Sequence, residues 1–302
     1  MNQGSIDTIK AAAVQCGCEI NTNEPLSAHT SFGIGGSAAL FIEAAPEGLS
    51  QLIKTITAEN IPFMALGKGS NMLFSDAPHD MVILHFGRAF SGVEITGNTV
   101  TAYAGTPLSN VCTAARDAGL TGLEFAYGIP GSVGGAVYMN AGAYGGEMAQ
   151  VLKSVKAVDM QGNERIFAAD ELGLSYRRSV FAENGYIIIS AEMVLENGDK
   201  AEITAKMNEL MDRRRDKQPL EYKSAGSTFK RPVGAFAGGL IEQCGLKGYS
   251  VGDAQVSTKH AGFVINTGKA SFDDVMSVIV HVQDVVKEKT GFELECEVRI
   301  VR

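Results

Sequence analysis

Residues 127–147 read YGIPGSVGGAVYMNAGAYGGE, with seven glycines and no charged side chain before Glu147. Glycine loses more backbone freedom on folding than any other residue, so this density needs a physical reason. Either the main chain must turn where L side chains are strained, or something must approach it closely. Successive bare N–H groups in such a loop can cradle a phosphate or pyrophosphate without a lysine. If residues 132–139 begin a helix, its N-terminus adds partial positive charge at the same place. The composition fits a plain glycine-rich turn between strands equally well. A second cluster, PFMALGKGSNMLFSD at 62–76, shifts the balance. There an apolar run ends in Gly67-Lys68-Gly69-Ser70-Asn71, the pattern of a strand entering a phosphate-gripping turn. Gly67 and Gly69 match the first two glycines of G-x-G-x-x-G, but Met72 stands at the third, so this is not a Rossmann fingerprint. No G-x-x-x-x-G-K-[ST] occurs either. A phosphorylated ligand is expected, held on some other scaffold.

The 302 residues allow two domains, at ~100–200 residues each. Thirty-five of them are glycine, well above the ~7 % of an average chain, yet they gather at turn-like sites and not in a low-complexity tract. The formal charge of −8 argues against nucleic acid as a partner. It leaves room for an anionic small molecule, which responds to local clusters. Cys16, Cys18, Cys112, Cys244 and Cys296 are scattered, and Cys16-x-Cys18 lacks zinc-site spacing. No metal is expected, and the five are read as reduced thiols. With no signal-like N-terminus and no long apolar stretch, the reading is a soluble, cytoplasmic protein without a membrane partner.

Along the chain, periodicity predicts a helix over 6–16 with Ile6, Ile9, Ala13 and Val14 inward. A strand follows at 39–44, then a helix over 46–60 with Pro46 in its first turn and Leu49, Leu52, Ile53 and Ile56 on one face. Strands are expected at 62–66 and 81–86, a hairpin at 92–103, and a helix at 107–118 closed by Gly119. A second hairpin covers 151–167, and a strand covers 186–195. The helix at 199–216 buries Ile203, Met207, Leu210 and Met211, and the domain boundary is placed at it: 1–198, then 199–302. In the C-terminal part, helices are expected at 235–244 and 271–289, and strands at 251–256, 262–266 and 292–301. The whole reads as α+β, with an α/β unit at its C-terminal end.

LGKGSN followed by GIPGSVGGAVYMNAGAYGGE resembles the FAD-binding domain of the vanillyl-alcohol oxidase/PCMH-type flavoproteins. Within that group the chain is most similar to the UDP-N-acetylenolpyruvoylglucosamine reductase (MurB) family. Further matches run from His29 to Arg299: HTSFGIGG at 29–36, YRRS at 176–179, AGSTFKRP at 225–232 and LECEVR at 294–299. The family usually carries a basic residue where this chain has Gly33. The resemblance implies a PCMH-type FAD-binding domain followed by a substrate-binding domain. It implies noncovalent FAD, with His29 not an attachment point, and NADPH as co-substrate. The implied substrate is UDP-N-acetylglucosamine enolpyruvate, reduced to UDP-N-acetylmuramate in peptidoglycan precursor synthesis. At 302 residues the chain looks like the family's shorter form, which lacks a substrate-covering insertion. A monomer is expected.

The resemblance also implies roles residue by residue. FAD contacts fall on Gly67, Lys68, Gly69, Ser70 and Asn71, and on Ile129, Pro130, Gly131, Ser132, Gly134, Gly135, Ala141 and Gly142. Arg177 would polarise the substrate carboxylate, for which a planar guanidinium fork is suited. Ser227 would donate the proton, and Glu297 would help stabilise the enolic intermediate. Tyr176, Lys217 and Arg231 would contact substrate. On residue type alone, Arg177-Arg178 reads as a solvated basic turn, Gly226-Ser227 as a turn, and Glu295, Glu297 and Arg299 as one solvated strand face. Lys217 and Arg231 read as readily as solvated cations. Two other functions fit the glycine loops: another flavoenzyme of the same fold, such as an oxidase of a sugar lactone or alcohol, and a non-enzymatic nucleotide-sugar- or flavin-binding module. Neither needs Tyr176-Arg177, Ser227 and Glu297 together.

Overall fold

Two separate hydrophobic cores organise residues 2–302 in the computed structural model. The chain divides into two compact units, each assembled from three segments. The first comprises Met1–Asn23, Ala39–Lys68 and Asp80–Asp212, and the second Glu24–Ala38, Gly69–His79 and Arg213–Arg302. The single cut expected at 198/199 differs from this threading. The reason is burial: Phe32, Ile34 and Leu73 lie in the same core as Phe229, Ile241, Val275 and Val282. Backbone pairing acts with it, because Met72–Phe74 runs parallel to Arg299–Val301.

In the first unit a five-stranded antiparallel sheet runs in the order Glu164–Ala168, Leu152–Val158, Ile187–Val194, Thr99–Tyr103, Val93–Thr96. Both expected hairpins lie in it. The turn at 159–163 is drawn in by Asp159, whose Oδ1 accepts from the amides of Gln161 and Asn163, each at 2.8 Å. A second sheet has the order Glu19–Pro25, Ser37–Glu43, His79–His85, Phe63–Leu66, the last two parallel. Helix Leu49–Ala58 buries Leu49, Leu52, Ile53 and Ile56, the face periodicity specified. Its start differs from the reading: Gly48, at φ +80°, occupies the cap position, so Pro46 precedes the helix. Helix Gln3–Gln15 begins earlier than expected because Asn2 accepts from the Ser5 amide at 2.8 Å. Val14 is 67 % exposed and does not belong to its buried face. Helix Lys200–Lys217 is capped by Asp199 and buries Ile203, Met207 and Leu210.

The second unit has a four-stranded antiparallel sheet in the order Lys223–Ser224, Val264–Asn266, Ala254–Val256, Ser250–Val251. Helices Ala237–Gln243 and Phe272–Thr290 contribute to its core. The longer one starts in a reciprocal Ser271/Asp274 capping box and ends at Gly291, φ +76°. Two expected strands are corrected. Residues 251–256 form a hairpin, because Gly252 takes φ +53° between Ser250–Val251 and Ala254–Val256. Of 292–301 only Arg299–Val301 is a strand. Upstream, the segment makes only an isolated bridge between Phe229 and Cys296, while Leu294 and Val298 are buried and Glu295 and Arg299 exposed, as alternation predicts. All five cysteines are free thiols. Among the described residues no helix is long and apolar enough to cross a membrane.

Candidate functional site

In the first unit, strand Phe63–Leu66 delivers Gly67 to a position directly against Ser132. A Cβ on Gly67 would overlap the Ser132 hydroxyl, so the two glycine-rich turns meet there. The second turn is stitched to residues 104–108. The Leu108 amide donates to Gly131 O at 3.0 Å, Val133 N to Thr106 O at 2.9 Å and Gly134 N to Ala104 O at 2.8 Å. Gly134 packs so tightly that a Cβ would sit 3.0 Å from Ala104 Cβ. Ser132 then caps the short helix Val133–Tyr138 without a side-chain cap bond. Among the described residues, the amides of Gly131, Ser132 and Gly135 have no backbone acceptor, nor do those of Gly67 and Lys68. N–H groups left without backbone acceptors are what an anion cradle requires. Ile129 is half-buried and Pro130 exposed on the approach to this turn, and Lys68 is exposed.

Beyond the helix, Asn140 is 1 % exposed and takes φ +42°. Ala141 N donates back to Ala136 O at 2.8 Å, and Gly142–Ala143 pairs with Gly146–Glu147 around Tyr144 and Gly145. Arg177 is half-buried, and its Nη2 donates to Gly142 O at 3.4 Å. Its guanidinium lies 5.1 Å from the ring centroid of Tyr176, which is itself 48 % exposed. The polar set in this unit is therefore a run of bare amides with one arginine at its end.

In the second unit, Gly69 and Ser70 also have amides without backbone acceptors among the described residues. Gly69, at φ +56°, lies against His29 O where a Cβ would overlap, and Gly69 O accepts from Ser31 N at 3.3 Å. His29 hydrogen-bonds Glu24 at 2.8 Å. Gly33 (φ +69°) lies beneath Lys223, whose Nζ would come 2.9 Å from a Cβ at this position.

The segments that carry Ser227 and Glu297 are paired here through Thr228. Ser227 follows Gly226 (φ +77°) and precedes the buried Thr228. Thr228 O accepts from Glu297 N at 2.8 Å, and Thr228 Oγ1 accepts from Val264 N at 3.0 Å. Lys230 N donates to Glu295 O at 2.8 Å, extending the same pairing. Asn71 fixes Glu297 from the other side, donating from Nδ2 to Glu297 O at 3.0 Å. Its own carbonyl accepts from Arg299 N at 3.0 Å. Asn71, placed with the cofactor turn on sequence grounds, thus also holds the glutamate backbone.

Lys217 ends helix Lys200–Lys217 and is exposed, and the Lys259 ammonium donates to Arg215 O of that end at 2.6 Å. The neighbouring Gln218 Oε1 is buried with no partner, a feature that nothing in the sequence marked. Arg231 stacks over Phe236 at 4.6 Å. His260, half-buried, accepts at Nδ1 from Gly262 N at 3.1 Å, and burial pulls its pKa below the ordinary imidazole value. Among the described residues no cluster of His, Cys, Asp and Glu could hold a metal ion.

Comparison with known proteins converges on one family. Residues 38–167 match the profile described as an FAD binding domain. Residues 218–301 match the UDP-N-acetylenolpyruvoylglucosamine reductase C-terminal domain. The chain is 49 % identical over 284 residues to the UDP-N-acetylenolpyruvoylglucosamine reductase of Clostridium novyi (strain NT), covering 94 % of this chain and 92 % of the relative. It is 45 % identical to that of Agathobacter rectalis, over 100 % of this chain and 99 % of the relative. It is also similar to the crystal structure of UDP-N-acetylenolpyruvylglucosamine reductase from Thermus caldophilus. There the TM-score is 0.80 at 35 % identity, over 94 % of this chain and 99 % of that one.

Proposed function

The chain belongs to the UDP-N-acetylenolpyruvoylglucosamine reductase family, and on that footing we propose that NADPH is its reductant and that Arg177, Glu297 and Ser227 carry the substrate chemistry. It is an FAD-dependent oxidoreductase of peptidoglycan precursor synthesis. Its substrate is UDP-N-acetylglucosamine enolpyruvate and its product UDP-N-acetylmuramate. The bare amides of Gly67, Lys68, Gly131, Ser132 and Gly135 suit a diphosphate, and they are the feature that makes FAD fit this chain. Ile129, Pro130, Ala141 and Gly142 line the same turn and complete the cofactor set. When bound, FAD supplies the hydride chemistry, and the protein supplies orientation and electrostatics.

Arg177 holds the enolpyruvyl carboxylate through two parallel hydrogen bonds. Negative charge grows on that carboxylate as the adjacent methylene carbon is reduced, and the guanidinium stabilises it. Ser227 Oγ delivers the proton to the carbon bearing the carboxylate. A hydroxyl is a weak acid, so it serves only an enolate-like carbon. Glu297 helps stabilise the enolic form. Tyr176, Lys217 and Arg231 orient the nucleotide sugar, with Lys217 on its diphosphate. In this reading residues 1–198 hold FAD and contribute Tyr176 and Arg177 to substrate, residues 199–302 supply the other substrate contacts, and the enzyme acts as a cytoplasmic monomer.

The observation that supports the proposal is the Thr228 O to Glu297 N bond, which pairs the residue after Ser227 with the Glu297 backbone although the two lie in separate sequence motifs. The test is anaerobic. Yellow protein should bleach with NADPH and recover its colour with the enolpyruvyl nucleotide sugar. Bleaching without recovery would assign the chain to another flavoenzyme, and failure to take up FAD would remove both.

A further inference from the structure

We propose that Asn140 and Ser179 are positioning residues that hold the Arg177 guanidinium at its place in the reaction. This rests on the carboxylate-binding role proposed above for Arg177. Arg177 lies at the tip of a very tight turn. Ser175 N donates to Arg178 O at 3.1 Å, and Arg178 N donates to Ser175 O at 3.1 Å. Only Tyr176 and Arg177 lie between those bonded residues. Arg177 takes φ +57° while Tyr176 stays out of the left-handed region. This is the turn geometry that favours glycine or asparagine at the third position. An arginine there costs free energy, so its surroundings must impose the conformation.

Two buried side chains do so, one on each shoulder of the turn. Asn140, 1 % exposed, donates from Nδ2 to Ser175 O at 3.1 Å. Its Oδ1 accepts from Ala149 N at 2.9 Å, which fixes the orientation of the amide. Ser179 is 0 % exposed and donates from Oγ to Tyr138 O at 2.7 Å. Both anchors tie the turn to residues 138–149, the segment that continues from the glycine-rich loop. The guanidinium is thereby held in register with that loop, and its Nη2 reaches Gly142 O. Neither Asn140 nor Ser179 needs to touch substrate for this. Misplacing a reacting group by ~1 Å can cost about 100-fold in rate.

The experiment uses the holoenzyme and two variants. Asn140→Asp keeps the bond to Ala149 N and tolerates the positive φ, but sets an acceptor against Ser175 O. Ser179→Ala removes the other anchor with little change in volume. Each is made alone and combined with Arg177→Lys. Bound-flavin absorbance and the rate of bleaching by NADPH report folding and the cofactor site, and both should match wild type. Reoxidation by the enolpyruvyl nucleotide sugar should slow about 10- to 100-fold in each single variant. In the Arg177→Lys background, adding either change should slow it no further, because both act through the same guanidinium. Equal slowing of both half-reactions, or penalties that multiply with Arg177→Lys, would overturn the proposal. If Arg177→Lys itself reoxidises at the wild-type rate, the role assigned to Arg177 fails instead. The two anchors are separate, so one variant that does not fold leaves the other to decide.

Discussion

Placing a methyl group at Gly67 tests whether contact between the two glycine turns sets the cofactor cradle. Gly67 has no left-handed φ, so its backbone admits an alanine. The obstacle is the Ser132 hydroxyl, which lies inside contact distance of the added carbon, while Ser132 Cβ sits at an ordinary 3.4 Å. Ser132 is 2 % exposed, so its oxygen has little room to swing away. The turns would have to part by ~1 Å, an overpacking that costs about 1–3 kcal/mol of stability. A separation of ~1 Å takes an amide–phosphate bond beyond hydrogen-bond range. Each such charge-assisted bond is worth about 1.5–3 kcal/mol. For Gly67→Ala the Kd for FAD should therefore rise about 10- to 100-fold for each bond lost. Flavin-stripped protein titrated with FAD, followed by fluorescence quenching, measures this directly. Ser132→Ala in the same background should recover most of the loss, since only the 3.4 Å carbon contact then remains. Wild-type affinity in Gly67→Ala would refute the argument, as would a double variant no better than Gly67→Ala.

Other expectations are simpler to state. Ser227→Ala should bleach with NADPH at the wild-type rate yet lose about 10²- to 10⁴-fold in steady-state turnover, the range of a positioned proton donor. Equal loss in both half-reactions would remove Ser227 from that role. Burial pushes the Cys112 thiol up to about 12. Peptide mapping after alkylation of native protein at pH 8 should find Cys112 unmodified, with the half-buried Cys16 labelled first. The same shift has a defined sign in stability. The buried thiol favours the folded state fully below its ordinary pKa of 9.0, and that contribution is lost as pH rises through about 12. Cys112→Ala should weaken the dependence of the denaturation midpoint on pH above that ordinary value, and an unchanged slope would count against the assignment.

Much of this protein is legible along the chain because its causes are local. The buried face of Leu49–Ala58 and the two hairpins of the larger sheet follow from periodicity and turn residues. Bare amides at Gly67 and Gly131 are one of the two readings that glycine density supports, a plain turn being the other. Local signals failed where pairing depends on distant chain. The segment before Arg299 resembles a strand, but its hydrogen bonds go to 228–230 and Asn71, so it never forms a ladder of its own. The assignment of Phe32 and Leu73 to the second core is likewise invisible in sequence, because apolar character does not say which core will bury a residue. Resemblance to a family could pick out Arg177, Ser227 and Glu297 as residue types in motifs. Only tertiary structure pairs the Glu297 amide with the Thr228 carbonyl, next in chain to Ser227, and bends Arg177 into a left-handed turn between Asn140 and Ser179. Those placements rest on buried hydrogen bonds between distant segments, and no pattern of neighbours along the chain encodes them.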